Sequence, residues 1–158
     1  MKKIPLTQGK FAIVDDEDYP LLNRWSWFAH NERGYWYAVR KHVRMHRFIL
    51  GAKKGQEVDH ANGNGLDNRK SNIRICTISQ NQANANLRQE QKTSQFKGVC
   101  WHKHSRKWRA QIKVNGEKIH LGCFLNEIDA ARAYDVVARH YFGEFARTNF
   151  QREEEKPQ

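Results

Sequence analysis

Asn115-Gly116 stands between two runs rich in β-branched and aromatic residues, 108–114 and 118–124. That pair tolerates the positive φ that both central residues of a two-residue hairpin require, so the runs are expected to be antiparallel neighbours. Residues 99–102 supply a third strand of the same character. Asn126, with Asp129 three positions later, has the pattern of a capping box. Beyond it Ala130, Ala131, Ala133, Tyr134, Val137, Ala138 and Tyr141 recur at helical spacing, and Gly143 supplies a stop. The second half of the chain is therefore predicted to be a three-stranded antiparallel sheet packed on one helix.

The first half carries shorter signals. Residues 10–14 and 35–40 read as strands, and Trp25, Trp27 and Phe28 between them are expected to fill a small core. Residues 45–50 form a short helix or turn ended by Gly51. From Asp59 to Arg69 the chain is dense in Asn and Gly, which predicts a compact loop. Thr77 or Ser79 then caps a helix running to Leu87. The fold class expected is α+β: a first unit with N-terminal strands over 1–88, a linker at 89–95, the sheet-and-helix unit at 96–150 and a disordered acidic tail at 151–158.

Charge narrows the partners. Across 158 residues the net charge is +11, and the mean hydropathy is −0.92. No apolar run approaches the roughly 20 residues that a bilayer crossing requires, and no secretory signal is expected at the start. A cytoplasmic setting is the expectation. Excess positive charge favours a polyanion, with nucleic acid ahead of a membrane surface. The three cysteines, Cys76, Cys100 and Cys123, form no C-x-x-C pair and read as reduced thiols.

The chemistry concentrates at Asp59-His60, with Asn72 and Asn81 behind it. Cleaving a phosphodiester requires a base to activate water and positive charge to stabilise the phosphate and leaving oxygen. A neutral imidazole is a suitable base near pH 7. Carboxylate and amide oxygens are hard ligands that suit Mg2+ or Mn2+. Taken without further context, an Asp-His pair is more often a capped loop with a satisfied histidine.

His60, Asn72 and Asn81 have the order and spacing of the HNH endonuclease motif, and residues 45–49 and 58–74 resemble its phage and intron-encoded homing subgroup. The resemblance implies a ββα-metal fold, two strands and a helix clasping one divalent cation, Mg2+ or Mn2+. By motif position His60 matches the general base, Asp59 a metal ligand, and Asn72 the central asparagine that braces the loop. Asn81 matches the third position and a second metal ligand, with Asn84 one helical turn on as the alternative. His46 and Arg47 are open between phosphate contact, packing and solvent exposure. Asn62, Asn64 and Asn68 read as turn residues. Arg69 and Arg74 stand between DNA-backbone contact and solvated surface.

From Lys97 to His120 there are seven Lys or Arg, three His and a single acid, Glu117. Alternate residues on a sheet point one way, so one face can be basic while the other packs on the Ala-rich helix. Residues 97–99, 108–112, 121–124, 130–135 and 149–150 resemble the Apetala-two/ethylene-response-factor (AP2/ERF) DNA-binding domain across 94–150. That resemblance implies sheet docking in the major groove of double-stranded DNA. Lys97, Cys100, His102, Arg109, Gln111, Lys113, Lys118 and His120 fall at the contact positions. Cys100, His102 and His120 replace residues usual in the family, so its plant target sequence does not carry over.

Together these features predict a metal-dependent DNA endonuclease of homing type, leaving 5′-phosphate and 3′-hydroxyl ends. It would act as a monomer on DNA with no small-molecule cofactor. The competing expectation is a DNA-binding regulator whose HNH unit is only a scaffold. An RNA-binding module is less favoured, because no aromatic RNA-recognition motif is visible.

Overall fold

The computed structural model describes residues 1–85 and 93–150. Its contacts divide into two compact units, Met1–Thr77 and Ile78–Gln158. Both mix small antiparallel sheets with few helices, the α+β class expected. Most of the expected linker, and the whole tail at 151–158, lie outside the described residues, as does Leu87.

In the first unit, β1 (Lys2–Pro5) and β2 (Phe11–Val14) pair antiparallel, followed by a single turn of helix, α1 (Tyr19–Leu22). A meander then joins β3 (Phe28–Glu32), β4 (Tyr35–Arg40) and β5 (Val43–Arg44). A short helix, α2 (Met45–Ile49), leads to β6 (Glu57–His60) and its antiparallel partner β7 (Ile73–Cys76). Ile4, Ala12, Val14, Leu22, Trp27, Ala38 and Met45 form the core. Buried Trp27 satisfies its indole by donating to the Leu22 carbonyl at 2.9 Å. Trp25 packs on this cluster, but Phe28, expected in the core, is half exposed. The alternation of β3 turns its neighbour Ala29 inward and Phe28 out.

The second unit begins with α3 (Ile78–Asn84). Its sheet runs β8 (Val99–His102), β9 (Lys107–Val114) and β10 (Glu117–Phe124) in sequence order, and α4 (Glu127–Phe142) packs on it. The hairpin turn has φ of 49° at Asn115 and 92° at Gly116, the positive values anticipated from the pair. Asn126 caps α4 through Oδ1, which accepts from the Ile128 amide at 2.8 Å. Ala130, Ala131, Tyr134, Ala138 and Phe142 of α4 are buried. They meet Val99, Ala110 and Ile112 from the sheet, a core built largely of small residues so that helix and sheet approach closely.

The helix α3 is held within this second unit. Ala83 joins the cluster of Ile112, Tyr134, Ala138 and Phe142. The Asn115 amide donates to Ser79 Oγ at 3.0 Å, and Arg147 N donates to the Ala83 carbonyl. Lys97 Nζ donates to the carbonyls of Ala83 and Ala85, which close the helix's C-terminal end.

Candidate functional site

The Asp59-His60 pair ends β6, opposite Arg74 and Ile73 of β7. Residues 61–72 connect the two strands as a loop tied by asparagine side chains. Asn62 Oδ1 accepts from the Asn64 amide at 2.8 Å, and Asn64 Oδ1 from the Leu66 amide at 3.1 Å. These are Asx turns, as their residue type implied. Asn72 closes the loop at its base: Oδ1 accepts from Asn62 N at 3.0 Å and Nδ2 donates to the Asp67 carbonyl at 2.7 Å. The loop also leans on β4 at Gly65, where a Cβ would lie 2.4 Å from the Trp36 carbonyl oxygen. Only glycine permits that approach.

His60 is buried at 6% exposure. Its Nε2 lies 3.4 Å from Asn68 Oδ1. The ring of His46 stands edge-on to it at 4.7 Å between centroids, and the Tyr37 ring lies 6.1 Å away. Burial lowers the His60 pKa below the ordinary imidazole value, against the opposing pull of Asn68 and the Asp59 carboxylate. The ring is thereby kept neutral near pH 7, the form a base requires. His46 is more deeply buried; desolvation and the neighbouring His60, Arg44 and Arg47 push its pKa down to about 3. His46 Nδ1 has no hydrogen-bond partner among the described residues.

Asp59 is also buried, and Arg74 reaches it from the facing strand. Nε and Nη2 of Arg74 lie 3.1 and 2.9 Å from Asp59 Oδ2. Arg69 is turned onto Asp67 in the same manner, at 2.8 Å to Oδ1 and 2.6 Å to Oδ2, and this holds the Asp67 carboxyl below the usual carboxylate range. Both arginines, weighed in the sequence between DNA contact and solvated surface, are thus drawn to carboxylates of their own unit. Arg47 donates to the carbonyls of Gln56, Lys53 and Ala52 and braces the turn before β6, while His46 packs; neither stands free for phosphate. Asn68, read as a turn residue, is fully buried against His60. Its only sequence signal is its place in the Asn-rich loop.

No cluster of three or more His, Cys, Asp or Glu placed to hold a metal occurs among the described residues. A protein-built cage of the structural zinc kind is therefore not what these residues make. They fit a hard cation held more loosely: magnesium is commonly bound through one or two carboxylates, with water and phosphate oxygens completing its shell. Asp59 is a carboxylate of that type. Asn81 and Asn84 both lie on α3.

In the second unit, strand register gathers the expected contact residues on one face. Arg109 is paired across β9 with Cys100 on β8 and Cys123 on β10. Gln111 faces His120, Lys113 faces Lys118, and His102 faces Lys107. Residues in register share a face, so Cys100, Arg109, Gln111, Lys113, Lys118 and His120 line the side opposite buried Ala110 and Ile112. His102 is tied to Ser105 Oγ at 2.8 Å. Lys97 differs from the others, its ammonium being engaged by the carbonyls at the end of α3.

Comparisons with known proteins find relatives of two kinds. The HNH endonuclease family model matches residues 39–83. An uncharacterized HNH endonuclease of Acanthamoeba polyphaga mimivirus is 32% identical over 150 residues, 90% of this chain and 76% of that protein. Protein 3.8 of Escherichia phage T7 is 28% identical over 85 residues, covering 53% of this chain and 69% of its own length. An AP2/ERF and B3 domain-containing protein of Oryza sativa subsp. japonica is 47% identical over 60 residues, 38% of this chain but only 16% of the plant protein. The chain belongs to the HNH endonuclease family, and part of it is similar to AP2/ERF proteins.

Proposed function

We propose that this chain is a metal-dependent DNA endonuclease of homing type, with a nuclease domain over 1–88 and an AP2/ERF-like reading domain over 96–150. The single observation that carries the reading is His60: a buried imidazole held neutral beside a buried carboxylate, at the position that the motif resemblance assigns to the general base. His60 takes a proton from water, the resulting hydroxide attacks phosphorus, the bond to the 3′ oxygen breaks, and that oxygen takes up a proton from water. The products carry 5′-phosphate and 3′-hydroxyl ends. Asp59, with Asn81 assigned from its place in the motif, would hold Mg2+ or Mn2+, which would supply positive charge at the phosphate. Asn72 holds the loop that bears the site.

Double-stranded DNA is the partner, read by the sheet face of Cys100, His102, Arg109, Gln111, Lys113, Lys118 and His120. Lys97, Arg69 and Arg74 belong to the same set only if DNA draws them from their present partners. One catalytic unit in a small chain cuts one strand per visit, which favours nicking by a monomer. Among the described residues no helix is long and apolar enough to cross a membrane. The viral relatives are consistent with action inside an infected cell.

The test is cleavage of supercoiled plasmid and genomic DNA with Mg2+ or Mn2+, wild type beside His60→Ala. Nicking by the wild type with at least a hundredfold loss in the variant is expected, since a positioned base contributes roughly 10²–10⁴-fold. Equal cleavage by both would remove His60 from the mechanism. One observation favours a non-catalytic regulator instead: Arg74 already neutralises Asp59, the carboxylate assigned to the metal. Tight DNA binding with no nicking in either metal is the outcome that would select it.

A further inference from the structure

We propose that Asn68 is a positioning residue: its side-chain amide sets the His60 tautomer, placing the ring proton on Nε2 and the basic lone pair on Nδ1. This deepens the endonuclease reading and rests on it for its catalytic meaning.

The orientation of the amide follows from its other partner. Asn68 Nδ2 lies 3.1 Å from the Leu66 carbonyl oxygen. A carbonyl only accepts, so the amide atom facing Leu66 is the NH2 group and the atom facing His60 is the oxygen. At 3.4 Å from Nε2, that oxygen also only accepts, and Nε2 must therefore carry the hydrogen. The opposite tautomer would set two lone pairs against each other where the Asn68 side chain has no solvent exposure.

The device is rigid because its backbone is anchored. Asn68 N donates to the Ile13 carbonyl and Ile13 N to the Leu66 carbonyl, both at 2.8 Å, tying the loop to β2. His46 and Tyr37 wall the imidazole with rings at 4.7 and 6.1 Å, so His60 does not easily turn away from the amide. Asn68 touches no reacting atom; it acts through His60.

The experiment uses the full, metal-free chain labelled with 15N-histidine at pH 8, where His60 is neutral. Long-range 1H–15N spectra distinguish the tautomers, and His60→Ala identifies the His60 signals. A dominant Nε2–H pattern is expected. An Nδ1–H pattern, or the averaged pattern of a freely exchanging imidazole, overturns the proposal without reference to cleavage. Asn68→Leu, of similar size but without an acceptor, should give the averaged pattern. It should also lower kcat about 10- to 100-fold with KM little changed, the usual effect of losing a group that orients a site histidine. Asn68→Asp keeps an acceptor and should retain the Nε2–H pattern and recover part of kcat. If Asn68→Leu leaves the wild-type pattern intact, the amide does not set the tautomer. If it does not fold, the wild-type spectrum decides alone. A correct tautomer in a protein that never nicks DNA would refute the endonuclease reading and leave the tautomer assignment standing.

Discussion

Two histidines with one ring contact divide the work at the site. His60 is held neutral and oriented, whereas His46 has a pKa of about 3 and stays uncharged over the whole physiological range. An unfolded histidine titrates near 6.5, so between pH 6.5 and 3 the unfolded chain binds more protons than the folded one. The stability His46 contributes is therefore complete above pH 6.5 and is lost progressively as pH falls toward 3. Thermal melts from pH 7 to pH 4 should show Tm falling, and His46→Phe, which keeps a ring but cannot titrate, should fall less steeply. Parallel slopes would mean that His46 is not responsible. The same scale explains the two arginines. Arg69 and Arg74 look like phosphate contacts as long as only their charge is read, yet each carboxylate partner is brought opposite by a register or a tight loop.

At the scale of elements, α4 shows how a short clasp completes a small module. Asp135 is buried on the helix, and Oδ1 accepts from the Asn149 backbone amide at 2.8 Å and from its side chain at 3.0 Å. Oδ2 accepts from the Phe150 amide at 2.8 Å. Asn149 in turn accepts from the Lys97 amide at 2.6 Å, which joins the end of the module to its beginning. Asp135→Ala leaves these donors without acceptors and should lower unfolding stability by about 3 kcal/mol, read from the urea midpoint. A change below about 1 kcal/mol would show that water replaces the clasp at little cost. Elements with a strong local signal were legible: the hairpin, α4, β4 and the Asx-turned loop all follow from residue type and period. β3 was not, because Phe28-Ala29-His30-Asn31-Glu32 has little strand propensity and is extended by its pairing with β4. α3 was anticipated as a helix from a capping residue and its spacing; Ala83 on it packs into the second unit's cluster, and Lys97 donates to its final carbonyls.

For the whole molecule, the +11 charge resolves into working parts. Arg69 and Arg74 are paired with carboxylates and Lys97 is engaged by the end of α3, while Arg109, Lys113 and Lys118 lie together on one face of the sheet. Binding to DNA should weaken with salt along a log–log slope of about 0.9 per phosphate neutralised. Lys113→Gln with Lys118→Gln should reduce that slope by about 2, measured by titration in rising NaCl. An unchanged slope would place the DNA elsewhere. On the proposed function, a chelator should abolish nicking while leaving this binding in place, measured by the same titration with and without EDTA.

Residue types and their spacing were enough to determine the hairpin at Asn115-Gly116, the capped helix after Asn126 and the α+β class, and the motif resemblance supplied the Asn72 brace. Each depends on local φ preference, on period, or on a motif confined to a short stretch of chain. Tertiary structure alone decided that Asn68 faces His60, that His46 is a buried neutral wall, and that Arg74 meets Asp59. Those pairings depend on which strands lie in register and on how far water is excluded, and burial and register are set by the folded whole.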